Sequence, residues 1–292
     1  MTDNPYWNES DQSRFDESSD PIVTGDFSSW WNAGINVVQR SWRSMGTILL
    51  IGVAIPGFVL NLLNTLAYQD TESGMFDMGA ANAETYDPGA ALGFSLLAIL
   101  LLYLYAAATM AATRTAAADA AGGFVTTSEA LKAAFRVGWK LWLWMVLGYL
   151  CVSIGLVLLV VPGLLVAFGL AVIVPAATFQ KNVNPFARSF ALTYTNFGPA
   201  LGRVVVTVII AAVINCLISV FMGFLADVFL QHAPVAIGNI MAVVLSALTA
   251  LLMLIPMLWM TAANLCTYAA LRGRSEAISA VSLSSEATDV AR

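Results

Sequence analysis

The chain has 292 residues, of which 59% are hydrophobic and only 11% are charged, and its mean hydropathy is +0.78. Soluble globular domains carry about 25% charged residues, so this composition excludes that class and predicts an integral membrane protein. Eighteen acidic residues against thirteen basic ones, without a dense basic stripe, exclude a nucleic-acid-binding surface.

The first segment of the chain, residues 1–26, is acidic. It holds seven Asp and Glu residues and a single basic residue, Arg14. A signal peptide has the opposite pattern, with a basic start followed by an apolar run. We therefore expect residues 1–26 to form a disordered cytoplasmic tail.

Six later segments are long and apolar enough to cross a bilayer core about 30 Å thick, which takes about 20 helical residues. Lipid offers no partner to free backbone groups, so each segment is expected to be a helix. Only "VPG" at Pro162–Gly163 separates the third from the fourth, which predicts a tight helical hairpin. The segments run approximately from Gly46 to Tyr68, Ala90 to Ala112, Trp139 to Val161, Leu164 to Phe179, Val204 to Ala226 and Val235 to Met260.

The orientation follows from the basic residues, which favour the cytoplasmic side. With the N-terminus inside, all thirteen Lys and Arg residues fall in inner segments, whereas the outer loop at 69–89 carries five acids. We therefore expect a multi-pass membrane protein with both termini in the cytoplasm.

Three inner segments have the pattern of an amphipathic surface helix. The first starts after a predicted N-cap at Asp26, and the second starts with a capping box at Thr126 and Glu129. The third starts at Asn184 and Pro185. Their apolar faces are Phe27, Trp31, Ile35, Val38 and Trp42; Leu131, Ala134, Phe135 and Trp139; and Phe186, Phe190, Tyr194 and Phe197, with Leu192 misplaced on the polar side of the third.

The fold class predicted from these elements is an all-α polytopic membrane protein. Its six transmembrane helices form three hairpins, each preceded by a cytoplasmic interfacial amphipathic helix. The membrane domain spans residues 27–272, and residues 273–292 are expected to be a flexible cytoplasmic tail. The alternative for the surface helices is that any inner loop beside a membrane is amphipathic.

One region also carries a more specific pattern. It has a Pro-Gly turn, a span that ends near a proline, and then Pro-x-Ala-x-x-Ser-aromatic-x-Leu-Thr with an Asn-Phe pair. These positions are Pro162, Gly163, Pro175, Pro185, Ala187, Ser189, Phe190, Leu192, Thr193, Asn196 and Phe197.

This pattern, over roughly residues 120–225, resembles the bacterial glycerophosphoryl diester phosphodiesterase membrane-domain-like family and its six-span relatives. The resemblance implies a six-span membrane module. It departs at Gln180, where relatives often carry an acid. The family takes its name from proteins in which the module is fused to a soluble catalytic barrel, and no soluble segment of this chain exceeds about thirty residues. We therefore expect no enzymatic activity.

Residues for catalysis, metals or cofactors are scarce. The single histidine, His232, has only Asp227 near it in sequence, and both are expected to mark the edge of a span. Cys151, Cys216 and Cys266 lie in or beside apolar runs without the spacing of a zinc site or a disulfide framework. The acids of the outer loop at 69–89 suit either weak cation binding or simple solvation. No catalytic residue, cofactor or metal site is predicted.

Amides and prolines supply the remaining candidate positions within the spans. Amides in membrane helices commonly hydrogen-bond between helices, and the alternative is a polar lining for a small neutral or amphiphilic solute. Prolines kink helices, and transporters place sites at such breaks. The candidate polar and kink positions are Asn61, Asn64, Pro175, Asn215, Asn239 and Pro256.

Two functions fit these observations. The first is a non-catalytic scaffold, complex subunit or lipid-organising protein that contacts the anionic cytoplasmic leaflet, and the second is a carrier or scramblase-like transporter of a lipid or small neutral solute. Partners are then membrane lipids and, in some cases, other membrane proteins, with the oligomeric state open. The basic residues expected at the membrane surface are Arg40, Arg43, Lys132, Arg136, Lys140, Lys181, Arg188 and Arg203.

Overall fold

The computed structural model describes residues 20–67, 88–230 and 234–292. Every regular element in these ranges is helical, which confirms the predicted all-α polytopic membrane fold. Six helical stretches are long and apolar enough to cross a membrane, in agreement with the predicted number of spans. They are Phe27–Leu60, Leu96–Ala120, Thr127–Leu158, Val160–Phe179, Phe197–Phe229 and Ile237–Arg272.

Several of these stretches are divided into shorter helices by irregular turns. In chain order the elements are α1 (Phe27–Leu49), the π-helical segment π1 (Leu50–Ala54), α2 (Ile55–Ala67), α3 (Pro88–Ala120), α4 (Thr127–Leu158), α5 (Val160–Gly169), α6 (Ile173–Phe179), α7 (Pro185–Thr195), α8 (Phe197–Leu230), α9 (Val235–Leu252), α10 (Leu254–Arg272) and α11 (Ala280–Ala291).

The three predicted helix starts are confirmed by their caps. The Asp26 side chain accepts a hydrogen bond from the Ser29 amide, and the Asn184 side chain accepts from two amides of the first turn of α7. Thr126 and Glu129 form the reciprocal bonds of a capping box. These contacts satisfy amides that have no partner within the helix.

Two of the predicted surface helices are not separate from the spans that follow them. α1 continues through π1 into α2, and α4 runs unbroken from its cap to Leu158. No proline or other helix-ending signal separates the amphipathic turns from the apolar ones, so the helix simply extends past the span. Only α7 is a distinct helix, because Asn196 leaves the helical conformation before α8 begins.

Four prolines within the spans each follow an irregular turn. Proline lacks an N–H and its ring collides with the carbonyl four residues earlier, so the helix changes geometry just before it. The irregular positions are π1 before Pro56, the extended Leu159 before Pro162, residues 170–172 before Pro175, and Met253 before Pro256. The hairpin expected between the third and fourth spans is present, but its turn lies at Leu159, and Pro162 and Gly163 belong to the start of α5 rather than to the turn.

The buried core gathers around the second half of α3. Every residue from Ala106 to Ala120 except Arg114 and Asp119 is buried, and most are alanine. Small side chains let helices approach closely, and α1, α4, α6, α10 and α11 all contact α3. This core cluster also contains Trp30, Val37, Met45, Ile48, Leu49, Leu141, Phe179, Leu265, Tyr268, Leu271 and Leu283.

The other halves of the spans expose large apolar side chains. Leu158 at the end of α4 is 72% exposed, and similar residues cover α8 and α9. Contiguous apolar surface on this scale is unfavourable in water. It is the surface expected of a multi-pass protein whose helices face lipid.

The predicted flexible tail at 273–292 is wrong, because Ala280–Ala291 forms α11. Leu283 is fully buried in the core cluster, and Arg272 donates hydrogen bonds of 2.6 and 2.9 Å to the Glu286 carboxylate. The apolar stripe of α11 was missed because two of its three buried members are alanines, Ala280 and Ala287.

The predicted N-terminal tail is also shorter than expected. Ile22 is fully buried, and the Asp20 carboxylate accepts a 2.8 Å hydrogen bond from the Ala280 amide at the start of α11. Residues 20–26 therefore belong to the packed structure. Residues 1–19 lie outside the described residues.

Candidate functional site

The eight basic residues predicted at the membrane surface divide into two groups. Lys181, Arg188 and Arg203 bind other parts of the protein. The side chains of the remaining five are exposed and make neither an ion pair nor a hydrogen bond with any described residue. These five are Arg40 and Arg43 on α1 and Lys132, Arg136 and Lys140 on α4.

Arg203 departs most from the prediction, since only 2% of it is exposed. Its guanidinium donates a 3.1 Å hydrogen bond to the Gly25 carbonyl and so fastens the segment before α1 to α8. Arg188 pairs with Glu276, and Lys181 donates a 2.9 Å hydrogen bond to the Asp289 carbonyl. These three residues therefore hold the terminal segments on the bundle.

Helical periodicity directs the free cations outward. Lys132, Arg136 and Lys140 are spaced four residues apart and lie on one face of α4. The opposite face packs against α3, where a Cβ built on Gly138 would lie 3.4 Å from the Ala107 Cβ. The same turn that buries Gly138 thus exposes Lys140.

Two of the free cations lie over tryptophan rings. The Arg43 guanidinium is 5.3 Å from the ring centroid of Trp42, and the Lys140 ammonium is 5.9 Å from that of Trp139. Both rings are about half exposed, at 51% and 50%. Tryptophan favours the depth of lipid headgroups. We call the five free cations with Trp42 and Trp139 the basic–aromatic surface.

A groove lies beside π1, between α2, α3 and α4. Its volume is about 320 Å³, and the described side chains that line it include no charged group. The only polar side-chain atoms in the lining are two tyrosine hydroxyls. The π1 groove is lined by Gly52, Val53, Pro56, Gly57, Ala98, Leu101, Leu102, Tyr105 and Tyr149.

Two glycines shape the π1 groove in opposite ways. A Cβ built on Gly52 would lie 2.5 Å from the Ala108 Cβ, so Gly52 permits π1 to touch α3. A Cβ built on Gly57 would meet no atom within 4 Å, so Gly57 leaves open space. A π-helical turn is wider than an α-helical one and is often found at functional sites. Pro56 additionally leaves the preceding turn one amide donor short.

Comparisons with protein-family models, with curated proteins and with solved structures find no match to this chain. Within residues 20–67, 88–230 and 234–292, no group of three or more His, Cys, Asp or Glu residues is placed to hold a metal ion. His232 lies outside the described residues. The geometry of the basic–aromatic surface and the π1 groove therefore carries the functional argument.

The predicted polar and kink positions do not meet in one site among the described side chains. The Asn215 amide donates a 2.7 Å hydrogen bond to the Ala211 carbonyl of its own helix, and Asn239 is exposed on α9. Pro175 and Pro256 are buried, each just after a break in its span. Asn61 and Asn64 belong to α2, but their side chains lie outside the described part of the chain. The sequence signal for the groove is the adjacent pair Pro56 and Gly57 within the first span.

The third amphipathic helix, α7, supports the broken span formed by α5 and α6. The Ser189 hydroxyl donates a 2.7 Å hydrogen bond to the Gly169 carbonyl, and the Tyr194 hydroxyl donates at 3.0 Å to the Leu165 carbonyl. Carbonyls near a helix break lose their helical partners and need others. Leu192, misplaced in the sequence pattern, is only 3% exposed, so the buried face of α7 includes it.

Proposed function

We propose that the protein is a non-catalytic component of the bacterial inner membrane that binds anionic lipid headgroups at the cytoplasmic leaflet, as a scaffold or complex subunit. The observation that carries this proposal is the basic–aromatic surface. Five exposed cations that make no ion pair or side-chain hydrogen bond with a described residue lie on two neighbouring helices, and two of them lie over half-exposed tryptophans.

Two other arginines, Arg188 and Arg272, differ from these five cations because they are paired with carboxylates. A basic residue near an anionic membrane surface contributes about 1 kcal/mol to binding. Arg188 and Arg272 already face Glu276, so lipid phosphate would have to compete with a carboxylate there. None of the five cations of the basic–aromatic surface forms an ion pair with a described carboxylate, and only Lys132 has one nearby, Glu129, which supports them as the headgroup contacts.

A lipid-selective stability measurement tests the proposal. The thermal midpoint of the purified protein in neutral detergent should rise more with phosphatidylglycerol than with phosphatidylcholine. Replacing the five cations by glutamine should abolish this difference. The paired change Arg274→Gln and Arg292→Gln removes exposed cations elsewhere and should preserve it. An unchanged preference in the five-residue variant would contradict the proposal.

The proposed orientation has its own test. An impermeant thiol reagent applied to intact cells should label Ala81→Cys, in the loop predicted outside, and should label Arg274→Cys only after the membrane is opened. Both variants are made in a chain whose three native cysteines are replaced by alanine. Labelling of Arg274→Cys in intact cells would reverse the orientation.

A carrier or scramblase-like transporter is the second candidate, and the π1 groove is the observation that favours it. If the protein in liposomes exchanges a fluorescent lipid between leaflets and Gly57→Phe stops this exchange, the carrier function would be favoured over the scaffold function. Proteoliposomes that show no exchange above protein-free vesicles would leave the groove without a transport role.

We also infer membership of the glycerophosphoryl diester phosphodiesterase membrane-domain-like family. The positions that carry the resemblance have defined structural roles, which supports a shared architecture. Ser189 binds a carbonyl at a broken span, Thr193 is fully buried, and Asn196 separates α7 from α8. The activity in the family name belongs to a separate barrel and is not proposed for this chain.

A further inference from the structure

We propose that the π1 groove binds one uncharged, membrane-soluble amphiphile that carries a hydrogen-bond-accepting oxygen. This site is distinct from the headgroup contacts of the proposed function, because it lies between helices whereas the basic–aromatic surface lies on their outer faces.

The tyrosines of the chain supply the main argument. Of the five tyrosines within the described ranges, three have a hydroxyl with a partner: Tyr103 donates to the Phe135 carbonyl at 2.7 Å, Tyr194 to the Leu165 carbonyl at 3.0 Å, and Tyr268 accepts from Arg272 at 3.3 Å. The hydroxyls of Tyr105 and Tyr149 bind no described residue, and both line the π1 groove.

Tyr105 is partly buried and Tyr149 is 52% exposed, and both lie in spans whose outer surface faces lipid. An unpaired hydroxyl is unfavourable in such an apolar environment, where a tyrosine is expected to find a partner. The fold satisfies this rule at the other three described tyrosines and leaves it open only in the groove. A ligand oxygen between Tyr105 and Tyr149 would accept the two hydrogen bonds that no described residue accepts.

The rest of the lining sets the chemistry of the ligand. The apolar side chains require an apolar body, and the absence of a lining cation provides nothing to balance a negative charge. A volume of about 320 Å³ is at the lower end of the range for small-molecule sites, about 300–1,000 Å³. A ring or a chain segment with a carbonyl or hydroxyl fits this space, and the rest of a larger lipid would remain in the bilayer, so the charge of the headgroup distinguishes the lipids that can bind.

The mouth of the groove indicates where the ligand comes from. Ile55 and Val59 on α2 and Leu100 on α3 flank the lining residues and are 50%, 46% and 54% exposed. The groove is therefore continuous with the apolar surface that faces lipid. A molecule dissolved in the bilayer can enter it without crossing water.

Photolabelling tests the proposal with two probes that share the same diazirine-bearing acyl chain, diacylglycerol and phosphatidylglycerol. In nanodiscs, diacylglycerol should label the peptides around Tyr105 and Tyr149, and unlabelled diacylglycerol should compete. Gly57→Phe fills the groove and should remove most of this labelling. Gly223→Phe, in α8 where a Cβ also meets no atom within 4 Å, should leave it unchanged.

A second variant keeps the test valid if Gly57→Phe fails to fold. Tyr105→Phe with Tyr149→Phe preserves the shape of the groove, and each lost hydroxyl should weaken competition about fivefold. Equal labelling of Gly57→Phe and Gly223→Phe, or equal labelling by both probes, would overturn the proposal in favour of ordinary lipid contact. The five glutamine substitutions should leave the groove labelling unchanged, which separates this site from the headgroup surface.

Discussion

Replacing Leu283 by alanine should detach α11 from the bundle. Leu283 is 0% exposed, and the other buried residues of α11 are the alanines Ala280 and Ala287. Leu283 is thus the only large apolar side chain of α11 that is fully buried in the core cluster, and Val290 packs against the cluster while partly buried. Truncating a buried leucine costs about 2–5 kcal/mol, through lost burial and the cavity that remains.

Hydrogen–deuterium exchange in nanodiscs measures this effect locally. Because every 1.4 kcal/mol is a factor of ten, amides of α11 should exchange about 30-fold to about 4,000-fold faster in Leu283→Ala. The α3 amides should change much less. Val281→Ala is the matched control, since Val281 lies in the same helix and is 65% exposed. Surface changes cost within about 0.5 kcal/mol, which is about twofold in rate.

Two results would refute the reasoning. If Leu283→Ala and Val281→Ala exchange at the same rate, the buried contact of Leu283 does not hold α11. If α11 in the unaltered protein already exchanges as fast as an unfolded peptide, the segment is the free tail that its sequence suggests.

Two further predictions follow from the geometry. Gly52→Ala should lower the thermal midpoint, because its Cβ would lie 2.5 Å from that of Ala108 and overpacking costs about 1–3 kcal/mol, whereas Gly57→Ala, with open space around its Cβ, should not. Burial alone would raise the pKa of Glu276, but hydrogen bonds from two arginines outweigh it and hold the pKa below its ordinary value of 4.5. A lowered carboxyl pKa stabilises the folded state above that value. The protection of α11 amides, measured as the observed exchange rate relative to the intrinsic rate at the same pH, should therefore fall as the pH drops below 4.5, and Glu276→Gln should remove this pH dependence.

The spans and helix starts could be predicted because their signals are local. Length and apolar content identify six membrane-crossing stretches, and Asp26, Thr126 and Asn184 cap the helices that follow them. Prolines also act on their own turn, so the irregularities before Pro56 and Pro175 could be anticipated. None of these features depends on a distant part of the chain.

The features that escaped prediction depend on tertiary contacts. The sequence around Arg203 predicts a surface cation. Its actual role depends on the segment before α1, whose Gly25 carbonyl accepts a hydrogen bond from the Arg203 guanidinium. The sequence of α11 resembles that of a polar tail because two of its three buried residues are alanines. These residues can be recognised as buried only when the packing of α11 against α3 is known. The π1 groove is lined by residues of π1 and three helices, α2, α3 and α4, so its existence depends on how these helices pack. The sequence of any one of them does not predict it.

The alanine segment of α3 has a consequence for how this sequence can vary. Most cores are damaged when atoms are deleted, but side chains between Ala106 and Ala120 are already near the minimum size. Random mutagenesis of this segment should therefore return Gly, Ser and Cys among folded variants and reject Leu and Phe. Distant relatives of this chain should therefore carry small amino acids at these positions, even where the rest of their sequence has little identity to it.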